Sequence, residues 1–188
     1  MTLTPIKSLY CICKESKGAM MNKLIAIAIA LLVAPWLSAI AANEQDLEAE
    51  LINSLRLKKG TLERVGKSGP TIQAYIREGY LNNKPNQRSD YTDYYLLKKP
   101  TMLMGHTLVV IEEEYASKWI GCCPSPGLGV TLMTSGSTKN IEKFANENGC
   151  NFSKIDDLNI ELKSVRIKSN FPKGNYASLS CRERDVQH

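Results

Sequence analysis

A three-part leader at residues 20–42 constrains this chain most, because it determines the compartment in which the rest folds. The basic residue Lys23 is followed by an uncharged apolar run, residues 24–40. Ala39 and Ala41 then supply the small residues that signal peptidase requires at its −3 and −1 positions. The pattern predicts a signal peptide over residues 1–41, with cleavage after Ala41, and an exported protein, periplasmic or secreted, that folds where thiols oxidise.

The residues ahead of the leader leave one alternative open. A signal peptide starts a few residues before its apolar run, so Met20 or Met21 is the better start, and residues 1–19 would be a mis-annotated start. If Met1 is the true start, residues 24–42 form an uncleaved anchor, since 19 residues are just enough to cross a bilayer. Either way the remainder is exported, and the membrane is contacted only through an uncleaved signal segment.

The exported part, residues 42–188, has the size of one domain with its own core. Its charge is nearly balanced, because four of the 24 basic residues of the chain fall within residues 1–41. A nucleic-acid-binding domain requires a clustered excess of positive charge, so the composition argues against nucleic acid as a partner.

The exported part contains four cysteines, and an even count in an oxidising compartment predicts two disulfides. Cys122 and Cys123 are adjacent, and a bond between neighbours would distort the peptide that joins them. The expectation is therefore that each bonds to a different partner, either Cys150 or Cys181. A soft-metal site or a redox pair at the adjacent cysteines is the alternative.

The hydrophobic pattern predicts an α+β fold: a single small domain with an antiparallel sheet and two helices. Helices are expected over residues 44–59, where leucines repeat at every fourth position, and over residues 137–148. Strands are expected over residues 107–111, 130–133, 159–168 and 177–181; residues 71–80 fit either a strand or a short helix. Because the strands come in runs, the sheet is predicted to be antiparallel.

A tyrosine-rich polar segment, residues 80–95, is the candidate binding surface. Tyrosine offers a large rigid contact area with a polar tip, and loops on a rigid scaffold are where binding residues concentrate. The segment is expected to be a surface loop rather than core, and its candidate partner-binding residues are Tyr80, Arg88, Tyr91, Asp93, Tyr94 and Tyr95.

A metal site is the second interpretation. Met102, Met104 and His106 would share one face of a strand, where two thioethers and an imidazole suit periplasmic copper. The ordinary alternative is that both methionines fill the core and the histidine is hydrogen-bonded. No cofactor is predicted.

The sequence gives little support for an enzymatic function, since it contains no local catalytic pattern such as a nucleophile elbow. The acidic run 112–114 is expected to be a solvated edge, although paired carboxylates could in principle carry acid–base chemistry. The sequence therefore favours a disulfide-stabilised binding protein over an enzyme. An inhibitor or an immunity-type protein of the cell envelope is expected, with a protein or envelope component as partner; copper handling is the alternative, and a hydrolase comes third.

Overall fold

Six antiparallel strands form one sheet in the computed structural model, which describes residues 43–115 and 124–187. The predicted leader, Cys122 and Cys123 lie outside these residues. The elements in chain order are α1 (43–55), α2 (Ser68–Arg77), β1 (Gln87–Ser89), β2 (Thr92–Leu103), β3 (His106–Glu114), β4 (Gly127–Met133), α3 (Lys139–Glu147), β5 (Asn151–Ile155), α4 (Leu158–Ser164), β6 (Tyr176–Arg182) and a 3₁₀ helix, Glu183–Gln187.

The sheet has the order β1-β2-β3-β4-β6-β5, with every neighbouring pair antiparallel. The predicted α+β class with an antiparallel sheet is therefore confirmed. The described part of the chain contains four α-helices rather than the two expected, because α2 and α4 lie where the sequence pattern was ambiguous or misread. No helix in this part is long and apolar enough to cross a bilayer.

The first face of the sheet carries the main core. The inward side chains of α1, α2 and α3 pack there on alternate residues of the strands, and Leu51, Ile72 and Ile141 are at most 1% exposed. A bulge between Leu108 and Val110 shifts the alternation of β3, so that Leu108 and Ile111 both belong to this core. Burial of such apolar side chains, each worth about 1.5–3 kcal/mol, holds the helices on the sheet.

The second face of the sheet is covered by α4, where the sequence predicted a strand over residues 159–168. That prediction is wrong. Asp157 accepts hydrogen bonds from the backbone N–H groups of Asn159 (2.9 Å) and Ile160 (3.2 Å), which is a helix N-cap. Leu158 and Leu162, four residues apart, then bury one helical side against the sheet. The apparent alternation was a helical i,i+4 stripe.

The disulfide of the described region joins Cys150 to Cys181, with Cα atoms 4.4 Å apart. The prediction that these two cysteines pair with Cys122 and Cys123 is therefore wrong. The reason is the β5–β6 register, in which Asn151 pairs with Ser180. Because the strands are antiparallel, Cys150, just before β5, lies opposite Cys181 of β6. That register could not be derived while the β5 strand was unrecognised.

Candidate binding surface

The tyrosine-rich segment is divided between core and surface. Tyr80 and Tyr95 are only 3% and 6% exposed and belong to the main core, so the expectation of a surface loop is wrong for both. For Tyr95 the physical reason is that residues 92–103 form β2, whose alternate side chains point inward. Tyr80 follows α2 and packs edge-on against Tyr75, with the ring centroids 5.8 Å apart. The Tyr80 hydroxyl donates to Glu44 Oε1 at 2.6 Å, and burial together with this hydrogen bond raises the pKa of Tyr80 to about 12.

Of the remaining predicted residues, Arg88, Tyr91 and Tyr94 stay closer to the surface, whereas Asp93 is buried. Tyr94 is half-buried on the second face, where it packs against the apolar cluster that contains Leu158 and Leu162 of α4. Tyr91 is half-buried at the turn between β1 and β2, and its carbonyl accepts the backbone N–H of Tyr115 at 3.1 Å. That bond brings Tyr115, which the sequence analysis did not select, next to Arg88 and Asp93.

We call Arg88, Asp93 and Tyr115 the Arg88 cluster. The guanidinium carbon of Arg88 lies over the Tyr115 ring, 4.5 Å from its centroid, and Arg88 Nη1 donates to the Tyr115 hydroxyl at 2.9 Å. The hydroxyl in turn donates to Asp93 Oδ2 at 3.0 Å, while Asp93 Oδ1 lies 3.5 Å from Arg88 Nε. The arrangement fixes an exposed cation in one orientation.

The electrostatics of the cluster come from a buried carboxylate beneath an exposed guanidinium. The Asp93 side chain is 3% exposed and that of Arg88 is 41% exposed. The hydrogen bond with Tyr115, followed by the charge of Asp93, raises the pKa of Arg88 against the opposing effect of partial burial. Arg88 therefore carries its positive charge at any physiological pH.

Glu113 stands directly across from Asp93 in the β2–β3 pairing, on the same face of the sheet. Its burial, to 8% exposure, raises its pKa, and the nearby Asp93 charge acts in the same direction, while a hydrogen bond with Ser68 opposes both. Both carboxylates are thus inaccessible to a substrate, which argues against acid–base chemistry here. What the cluster offers to solvent is a guanidinium and an aromatic ring, two groups enriched at binding hot spots.

An ion-pair network occupies the same end of the sheet on its second face. Arg182 contacts Glu112 (2.6 Å) and Glu114 (2.9 Å), and Arg184 makes two parallel hydrogen bonds to Glu114, at 3.0 and 2.8 Å. The expectation that residues 112–114 form a solvated edge is therefore wrong. The carboxylates of Glu112 and Glu114 are held by arginines that arrive from β6 and the 3₁₀ helix, 70 residues further along the chain, and Glu113 is buried on the first face.

Two glycines of β4 leave room for this network. Gly127 and Gly129 lie between the acidic residues of β3 and Arg182 of β6. A Cβ atom at Gly129 would lie 3.0 Å from Glu112 Oε2 and 3.3 Å from the Arg182 Nη2 atom. The Arg182 side chain crosses β4 above these glycines and links β6 to β3. The network therefore stabilises the sheet and is not an accessible binding site.

Arg64 is a second residue that sequence reasoning missed. It lies in the α1–α2 connection, and its guanidinium donates to four backbone carbonyls, those of Leu55 (2.9 Å), Asn148 (2.5 Å), Gly149 (3.0 Å) and Arg182 (3.3 Å). Nη1 also lies 3.5 Å from Cys150 Sγ. Burial lowers the pKa of Arg64, and the charge of Asp185 acts in the opposite direction. A single arginine in a polar turn gave no signal for this role.

The predicted methionine–histidine set does not share one strand face. Met102 is 46% exposed on β2, and Met104 lies in the β2–β3 turn with a φ of 52°. His106 is 3% exposed; its Nδ1 accepts the backbone N–H of Ser135 at 3.2 Å, and its Nε2 lies 3.4 Å from Asn140 Oδ1. Both ring nitrogens are thus engaged with protein groups. Within the described ranges, no cluster of three or more His, Cys, Asp or Glu residues could hold a metal ion.

Comparisons with family models, curated proteins and solved structures find no match to this chain.

Proposed function

We propose that this chain is an exported, disulfide-stabilised binding protein that acts on a protein or another component of the cell envelope, as an inhibitor or an immunity-type protein does. Its contact surface is the Arg88 cluster together with Tyr91. The compartment follows from the predicted leader, and the Cys150–Cys181 bond is consistent with an oxidising environment.

One observation carries the proposal: Arg88 is exposed yet immobilised by Tyr115 and Asp93. Burying the Asp93 carboxylate is unfavourable, and a hydrophobic residue at that position would serve the core as well or better. An arginine held over an aromatic ring loses little conformational entropy when a partner binds, which favours affinity. The geometry of Arg88 and Asp93 therefore suits contact with a binding partner better than packing of the protein's own core.

The test is affinity capture from the envelope fraction of the source cells with the exported protein as bait, followed by calorimetric measurement of the dissociation constant for each recovered component. We expect Arg88→Ala to weaken binding by about 2 kcal/mol, the effect of a hot-spot residue. Tyr115→Phe should weaken it less, because the ring remains while the hydrogen bonds to Arg88 and Asp93 are lost.

The matched control is Arg56→Ala, which removes an exposed arginine that lies outside the cluster. It should leave binding unchanged. Equal losses for Arg88→Ala and Arg56→Ala would exclude the cluster as the contact surface. If the wild-type bait recovers nothing that binds it directly, the binding function itself is refuted.

A further inference from the structure

The outer surface of α4 and the turn after it carries an apolar side chain among three cations. Ile160 is 69% exposed, and Lys163, Arg166 and Lys168 are exposed around it. We call these four residues the α4 patch. They border a shallow groove of about 490 Å³. This patch lies on a different part of the molecule from the Arg88 cluster.

The turn that presents the cations has a defined shape. Asn159 donates from Nδ2 to the carbonyl of Phe171 at 3.0 Å and accepts at Oδ1 from the Phe171 N–H at 2.8 Å. Arg166 adopts a left-handed backbone conformation, with φ of 66°, and its N–H donates to the carbonyl of Lys163 at 2.9 Å. The backbone that carries the cations is therefore fixed before a ligand binds.

The charge of the patch is uncompensated in the described part of the chain. None of the three cations forms an ion pair there. Glu161, the residue after Ile160, is exposed and forms an ion pair with none of the three cations. Asp157 is engaged in capping α4. A complementary ligand must therefore be anionic and must also accept an apolar side chain.

We propose that the α4 patch binds the surface of an anionic lipid bilayer, with Ile160 entering the interface and the three cations contacting lipid headgroups. A stable protein interface buries about 800 Å² on each partner, contributed by some 20–30 residues, far more than four side chains around one groove supply. A bilayer needs no matching surface, and long basic side chains reach its headgroups while their neighbours contact the acyl region. Membrane contact then does not depend on the leader.

The test is flotation of the exported protein, as processed by a secreting host, with phosphatidylcholine vesicles that contain no anionic lipid or about 30% phosphatidylglycerol. Binding is expected to the anionic vesicles alone and to fall as salt is added. The triple variant Lys163→Gln, Arg166→Gln, Lys168→Gln should reduce partitioning about a hundredfold, because each basic residue contributes about fivefold. Ile160→Ser should reduce it about tenfold.

Two matched controls use surface residues elsewhere. The triple variant Lys58→Gln, Lys59→Gln, Lys84→Gln makes the same change in net charge, and Leu62→Ser replaces another exposed aliphatic side chain, 64% exposed. Both controls should bind like the wild type. Equal partitioning into neutral vesicles, or an equal loss in the control triple, would overturn the proposal. Binding to soluble polyaspartate that needs the three cations, with no effect of Ile160→Ser, would also overturn it and indicate an acidic protein partner.

Discussion

Single residues hold together segments of this protein that are far apart in sequence, and Arg64 is the clearest case. Its guanidinium donates to carbonyls at the ends of α1, α3 and β6. A lysine has one ammonium group and cannot reach carbonyls on three sides.

We expect Arg64→Lys to lower the free energy of unfolding by about 2–3 kcal/mol, because buried carbonyls would be left without donors. Urea denaturation measures the change. The exposed Arg56→Lys should alter stability by less than about 0.5 kcal/mol. Equal stability of the two variants would show that water replaces the lost donors.

Gly127 tests the close approach of β4 to β6. It has φ of +146°, and a Cβ atom there would lie 2.6 Å from the carbonyl oxygen of Cys181, which is backbone and cannot move aside. Gly136 has φ of +77° with nothing within 4 Å of the same position. Gly136→Ala should therefore cost only about 1 kcal/mol of backbone strain, whereas Gly127→Ala should cost about 3 kcal/mol or more. Thermal unfolding of both variants compares them, and similar melting temperatures would contradict the steric argument.

At the scale of elements, the pairing of β2 with β3 places Asp93 and Glu113 opposite each other in a buried setting. Burial raises the pKa of Glu113 above its usual value. The folded state therefore holds this proton more tightly than the unfolded state, so the stabilisation is present below the unfolded pKa and is lost as pH rises through the folded pKa.

Replacing Glu113 with glutamine removes this titration. We expect Glu113→Gln to gain stability relative to the wild type as pH rises from about 4 to 7, since only the wild type has to ionise a buried carboxyl. Urea denaturation at both pH values measures the difference. Glu63→Gln, at an exposed carboxylate, is the control. A stability difference independent of pH would mean that Glu113 is ionised without penalty.

At the scale of the whole molecule, the Cys150–Cys181 bond closes a 31-residue separation and fixes α3 and β5 against β6. Non-reducing peptide mapping should recover these two cysteines in one linked pair. The double variant Cys150→Ala, Cys181→Ala should lose roughly 3.5–4 kcal/mol in the chain-entropy model. A peptide that links Cys122 or Cys123 to Cys150 would contradict the pairing.

Export remains a prediction from the leader, which lies outside the described residues. The small residues Ala39 and Ala41 should direct cleavage, so the exported protein is expected to begin at Ala42 or Asn43. Intact-mass measurement of the secreted form checks this. A membrane-extracted species that retains residues 24–41 would show an anchor instead.

Elements with an unambiguous hydrophobic period could be predicted from the sequence alone. The sequence predicted α1 from its leucine repeat, β3 from its apolar run, and α3 from the helical pattern of residues 137–148. Such periodicity is a local property of the chain. The last strand was predicted as well: Ala177, Leu179 and Cys181 alternate inward and are at most 1% exposed. The order of these predicted helices and strands was sufficient to predict the α+β class.

Features that depend on which strands are neighbours became known only from the folded structure. The pairing of β5 with β6 selected the disulfide partners, and the β2 register placed Tyr95 in the core. Short apolar patterns such as residues 158–167 fit both helix and strand until a cap and a packing surface decide between them. Arg64, Tyr115 and Arg182 acquired their roles through contacts with residues distant in the sequence, up to 118 positions away for the pair Arg64 and Arg182. Such contacts leave no local pattern, since the chain must fold before these residues meet.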